Sequence, residues 1–252
     1  MMKHCLFAIA LGLAPLAAAQ AVPADVAGAI SAPGRPADAV ALDAGRHPAE
    51  ILGFGGLRRG DHALDLYTDT AYYGEIMARA VGPTGNVLGW QPNEFTQAQT
   101  RQALQGVMQR SPNFHVIYSP AAAFSLPANA FEFAMINLNY HDTYFDYDSP
   151  RAHYHMQPEA FLRTVFNSLK PGGTIVVVDH VANAGGDSRA VVHALHRIDP
   201  ATIRADFQRA GFVFDGESDL LRNPQDDHSK NVFDPAIRGH TDRVVYRFRR
   251  PR

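Results

Sequence analysis

Hydrophobic residues along this chain gather into short runs at 63–67, 86–90, 114–118, 131–138 and 174–179, each bounded by turn-forming residues. Runs of that length suit strands covered on both faces, the condition of a parallel sheet. Between them apolar residues recur at helical spacing over 72–81, 94–109 and 158–169, and another helical stretch at 47–57 precedes the first run. KPGG at 170–173 follows the 158–169 pattern and supplies the glycine stop a helix end favours. Strand and helix in alternation predict an α/β fold with a parallel sheet and helices on both faces. The end of the chain departs from this rhythm. A helix at 199–210 leads to a strand at 212–218, and 243–249 alternates apolar and basic residues like an antiparallel final strand. A polar insert, 219–242, joins the two, and no internal repeat is seen.

The N-terminus changes the picture. MMKHCLFAIALGLAPLAAAQA joins a basic start at Lys3 to an apolar run and to small residues at Ala19 and Ala21, the three parts of a secretory signal. Cleavage after Ala21 is expected, with a soluble periplasmic or secreted product and no stable membrane insertion. A mobile Pro/Ala-rich lead-in at 22–36 and one α/β domain at 37–252 would follow. Cys5, the single cysteine, falls inside the signal, which excludes disulfides and cysteine-ligated zinc from the mature chain. Loss of Lys3 moves the charge from 23 minus 25 to 22 minus 25, or -3. Nothing in that balance points to a nucleic-acid partner.

Five strands followed by a helix and a reversed hairpin is an order shared with class I S-adenosylmethionine (SAM) dependent methyltransferases, and the local text agrees. LRRGDHALDL resembles that family's lead into its first strand, GNVLGWQPNE its second, LPANAFEFAMINLNYHD its fourth, and FNSLKPGGTIVVVDH its helix, turn and fifth strand. The chain looks most like an exported branch of predicted methyltransferases that also carries NYHD, VVDH and HRIDP. The resemblance implies a doubly wound, seven-stranded, mostly parallel sheet with an antiparallel last strand, and SAM as cofactor. It carries cofactor binding onto Asp65, Tyr67, Asp69, Ala71 and Gln91.

Three positions depart from the family. Asp69, Thr70 and Ala71 stand where the first turn usually holds glycines, which tolerate left-handed dihedrals and let the backbone approach the methionine part of SAM. Gln91 replaces the acidic residue that accepts both ribose hydroxyls, and Ala121 to Ala123 occupy the place of an acidic residue near adenine.

Ligands of open α/β sheets bind beyond the carboxyl ends of the strands, which directs His141 and Asp142, and with them Asp179 and His180, to one crevice. His141 and Asp142 are the catalytic candidates, since a neutral imidazole near pH 7 can take a proton from a substrate hydroxyl or amine. These four residues with His196 and Asp199 offer nitrogen and oxygen ligands near one rim. No HxH or HxxxH pair with a distant partner singles them out, so no metal site is expected. The 219–242 insert reads as a lid, with Arg222, Asn223, Asp227, His228, Arg238 and Asp242 as closing residues. The tyrosines and phenylalanine from Tyr140 to Tyr147 read as a substrate rim. The first functional expectation is a SAM-dependent methyltransferase acting on a small molecule. The alternative is an exported binding protein or pseudoenzyme that keeps the fold without the chemistry.

Overall fold

A computed structural model describes residues 24–149 and 152–252. The expected signal, 1–21, lies outside the described residues. Four short helices open the described chain: α1 (Val26–Ser31), α2 (Ala37–Ala41), α3 (Asp43–Arg46) and α4 (Pro48–Gly55). Strand β1 (His62–Leu66), helix α5 (Tyr72–Val81), β2 (Asn86–Pro92), α6 (Ala98–Arg110), β3 (Phe114–Ser119) and β4 (Phe131–Asn137) follow. A small hairpin, β5 (Tyr147–Ser149) with β6 (Ala152–Tyr154), precedes α7 (Pro158–Ser168) and β7 (Leu169–His180). The chain then runs through α8 (Ser188–Leu195), α9 (Pro200–Arg209), β8 (Val213–Ser218) and β9 (Arg243–Arg249).

Seven strands form one sheet in the order β3-β2-β1-β4-β7-β9-β8. The pairs β1–β2, β1–β4, β2–β3 and β4–β7 are parallel, whereas β9 runs antiparallel to both β7 and β8. This is the expected seven-stranded, mostly parallel sheet with an antiparallel last strand. Side chains alternate across it with period two. Leu64, Leu66, Trp90, Ala134, Ile136, Ile175 and Val177 enter one apolar layer with Phe161 and Phe207 from α7 and α9. Ala63, Val87, Phe133, Met135, Val176 and Val178 enter the other, with Leu52, Ile76 and Leu104 from α4, α5 and α6. Each fully buried Leu, Ile or Phe contributes about 1.5–3 kcal/mol, so double-sided coverage explains why these strands lack polar alternation.

Several boundaries differ from expectation for local reasons. Residues 24–36 were expected as a lead-in without structure, yet Asp25 caps α1 by accepting from the Gly28 amide, and Val26 and Ala29 are buried. KPGG does not form a free turn: β7 starts at Leu169, and the register slips between Phe131–Leu169 and Phe133–Thr174, so these residues make a bulge with Gly172 at φ 85°. The expected 94–109 helix is split into a 3-10 turn, Asn93–Phe95, and α6. Helix α8 and the β5–β6 hairpin were not anticipated. Among the described residues no helix is long and apolar enough to cross a membrane.

Candidate functional site

The sheet order reverses between β1 and β4, and the segments leaving these two strands diverge to opposite sides there, opening a crevice at the carboxyl ends of the strands. A cleft of about 1280 Å³ lies at that point, lined by 65–73 from the end of β1 onward, Gln91 and Phe95 at and beyond the end of β2, and Asn137 to Asn139, His141 and Asp142 at and beyond the end of β4. The N-terminal segment around Arg46 and the end of the insert, Arg238 to Thr241, complete its wall.

The turn after β1 has an unusual backbone. Tyr67, Asp69 and Ala71 all adopt left-handed dihedrals, with φ of 54°, 47° and 57°. Left-handed non-glycine residues cost on the order of 1 kcal/mol each, and such strain persists where surrounding contacts over-determine it. Those contacts are present. The Tyr67 hydroxyl bonds the Tyr154 hydroxyl at 2.7 Å, and its ring lies edge-on to Trp90. The Thr68 amide donates to the Trp90 carbonyl, and the Ala71 amide to the Thr68 carbonyl. The Asp69 amide donates to Gln91 Oε1 at 2.8 Å. Tyr67 and Ala71 direct their side chains into the core, and only Asp69 and Thr70 stand exposed at the turn. The left-handed positions are therefore 67, 69 and 71, not 69 to 71. Thr70 does not need to be glycine, and of the three left-handed residues only Asp69 is exposed toward a ligand.

Asp65 braces this turn. Its carboxylate accepts from the Thr68 hydroxyl at 2.5 Å and from the Gly74 amide in the first turn of α5. A Cβ on Gly74 would stand 2.8 Å from Asp65 Oδ2, so glycine is what lets the carboxylate reach the helix. Burial outweighs these hydrogen bonds and pushes Asp65 up to about 7. Gln91 spends its carbonyl oxygen on the turn, and Glu94 accepts from the Ala121 amide beside the expected adenine region. Ala121 to Ala123 do not line the cleft.

The second half of the site follows β4. Leu138, left-handed at φ 60°, turns the chain, and Tyr140 is driven into the core against Phe207, with its hydroxyl donating to Asp206 at 2.6 Å. Tyr144 donates to the same carboxylate. The two tyrosines are anchors and not a substrate rim, whereas Phe145 does reach the cleft. Anchored this way, His141 meets Asp179 at the end of β7: its backbone amide donates to Oδ2 at 2.8 Å and its Nδ1 to Oδ1 at 2.7 Å. Burial would lower the His141 pKa, but the Asp179 and Asp142 charges outweigh it and raise it to about 9. The Asp179 and Asp142 charges thus favour the imidazolium form of His141, a donor, where a neutral imidazole was expected. Asp142 stands beside it, its Oδ2 accepting from Asn139 Nδ2 at 2.9 Å.

The other candidates separate. His180 bonds Thr241 at 2.7 Å and burial pushes it down to about 3, so it stays neutral. Asp199 caps α9 through the Ala201 amide. His196 ends α8 with φ 52° and joins His141 and Asp142 at the cleft. Within the insert, Arg222, Asn223 and His228 converge on Asp242, while buried Arg197 pairs twice with Asp226 at 2.9 and 3.0 Å. Of the six lid residues expected, only Arg238 lines the cleft. The insert instead contributes Val232, Phe233, Gly239, His240 and Thr241. Sequence reasoning missed Arg46 and Arg243, which line the cleft from the N-terminal segment and from β9. No local spacing signals them, because they meet only through the fold.

No family model matches the chain. Among curated proteins it is similar to the ubiquinone/menaquinone biosynthesis C-methyltransferase UbiE of Citrobacter koseri, 25% identical over 167 residues, covering 66% of this chain and 59% of that one. It is also similar to the UbiE of Pasteurella multocida, 29% identical over 126 residues, covering 49% and 41%. The chain thus spans about half the length of these relatives. Among solved structures it resembles the [4+2]-cyclase SpnF, with a TM-score of 0.61 at 17% identity over 93% of this chain and 87% of that one. A putative sarcosine dimethylglycine methyltransferase from Galdieria sulphuraria gives 0.60 at 16% identity over 88% and 92%. A SAM-dependent methyltransferase from Aquifex aeolicus gives 0.56 at 16% over 80% and 88%. The chain has the class I methyltransferase fold.

Proposed function

We propose that the protein is a SAM-dependent methyltransferase acting on a small molecule. The observation that carries this reading is the turn after β1, which keeps a left-handed backbone at 67, 69 and 71 without a single glycine. A connecting turn of no function has no reason to hold three strained residues, whereas strain of this kind collects at ligand sites. Asp69, the one left-handed side chain facing out, is available to the ammonium of SAM, and Arg46 and Arg243 offer charge to its carboxylate. Gln91, through the amide group left free by its bond to the turn, would meet the ribose.

Methyl transfer needs mainly the alignment of an acceptor atom with the sulfonium methyl. His141 would hold the acceptor by donating a hydrogen bond, and Asp142 would take the proton that the acceptor releases. The pattern at 1–21 supports export to the periplasm or beyond.

The rival reading is a binding protein on the same fold, favoured by one observation: Gln91 and Glu94 spend acceptor atoms on the protein's own backbone. Fold alone does not decide between them. Incubating the mature protein with methyl-labelled SAM and a small-molecule extract of host cells separates the two. Label transferred to an extract component, lost in Asp142→Asn, is the expected result. Bound SAM with no transfer under any fraction would favour the binding protein.

A further inference from the structure

We propose that His141, Asp142 and His196 form a binding site for a divalent transition-metal ion on the cleft wall. One donor atom from each of the three residues lies within 4.8 Å of the other two. His141 Nε2 stands 3.5 Å from Asp142 Oδ1, and His196 Nδ1 stands 4.0 Å from the same oxygen. Both separations are too long for a good hydrogen bond. They approach the roughly 3.3 Å that separates two ligands on one tetrahedral ion with bonds near 2.0–2.1 Å.

The surroundings prepare each donor. Asp179 holds His141 Nδ1 at 2.7 Å, which turns Nε2 toward Asp142; a carboxylate behind a ligating imidazole is the usual support in metal sites. Asn139 occupies Asp142 Oδ2 and leaves Oδ1 for the ion. His196 is placed by a strained helix end, left-handed at φ 52°, where glycine would be the ordinary residue. Its ring lies between Phe145 at 5.2 Å and Phe233 at 4.9 Å. Two imidazoles and one carboxylate select zinc-like ions over magnesium or calcium, which prefer all-oxygen shells. Three protein ligands leave a position open toward the cleft for water or a substrate oxygen.

This site stands independently of the cofactor reading and is tested without SAM; with the ion bound, His141 Nε2 and Asp142 Oδ1 act as ligands, and the ion takes the place of the hydrogen-bond and proton-accepting roles proposed for these two residues. The mature protein, stripped with chelator, is titrated with Zn²⁺ by calorimetry and with Co²⁺ by visible absorption. One ion per chain is expected, with a Co²⁺ spectrum of four- or five-coordinate intensity. His196→Gly removes a ligand while relieving the left-handed strain, so it should fold at least as well and bind at least 100-fold more weakly. Asp142→Asn, nearly the same shape, provides a second arm with the same expectation. The double variant His153→Ala with His155→Ala, in the exposed hairpin region, should bind as wild type. Absence of stoichiometric binding, wild-type affinity in His196→Gly and Asp142→Asn, or loss confined to the His153/His155 variant would each overturn the proposal.

Discussion

At the scale of single residues, the turn after β1 shows how a side chain's anchoring can hold a backbone shape that glycine would hold more cheaply. Asp69 is the informative position, because it is exposed and its replacement disturbs little packing. Asp69→Val should unfold at lower denaturant than Asp69→Gly, by on the order of 1–2 kcal/mol, since a β-branched residue resists left-handed dihedrals. Equal stability of the two would mean that the turn relaxes freely and stores no strain. Asp65 gives a second residue-scale expectation. Burial, against the hydrogen bonds from Thr68 and Gly74, holds its carboxyl at about 7 instead of 3.8. Between those values the folded chain keeps a proton that the unfolded chain has lost. Its contribution to stability is therefore complete below about pH 4 and is lost as pH rises through about 7. Melting wild type and Asp65→Asn side by side at about pH 5 and pH 8 should show wild type losing ground to the variant at the higher pH. A constant difference would contradict it. The sequence made Asp65, Asp69 and His141 visible as polar residues at strand ends. It could not reveal that Tyr67 is left-handed or that Asp179 favours the charged form of His141, because both depend on partners far away in the chain.

Among the elements, the central strands were legible because burial on both faces leaves no polar alternation to confuse them. The short N-terminal helices were not: α1 to α3 span only six, five and four residues, too few to show a helical period, and are held by tertiary contacts, such as the paired bonds of Arg35 to Asp43 and the Tyr72 hydroxyl on the same carboxylate. KPGG misled for a related reason, since a glycine that ends a helix and a glycine that allows a bulge look alike in one dimension. The insert was rightly read as polar, yet its charges are mostly spent inside it. Arg197 and Asp226, both with nearly inaccessible side chains, tie it to the α8–α9 connection. Arg197→Ala would leave Asp226 buried without its partner and should cost roughly 3–5 kcal/mol. Denaturant unfolding measures the loss, and limited proteolysis should show new cuts within 219–242. A loss under about 1 kcal/mol with an unchanged digest would show that the insert does not depend on this pair.

For the whole molecule, strand order and cleft position follow from alternating elements and the handedness of parallel connections, which is why the class I methyltransferase fold could be read from the sequence. The cleft joins two halves that lie about 70 residues apart in the chain: the left-handed turn after β1 and the His/Asp cluster after β4. The central claim is that the glycine-free turn is a working seat for SAM, and calorimetric titration of the protein with SAM tests it most directly. The account predicts one SAM per chain, with affinity rising about tenfold, or 1.4 kcal/mol, in Gln91→Glu, where a carboxylate can serve both the Asp69 amide and the ribose. No heat of binding in either protein at millimolar SAM would contradict it.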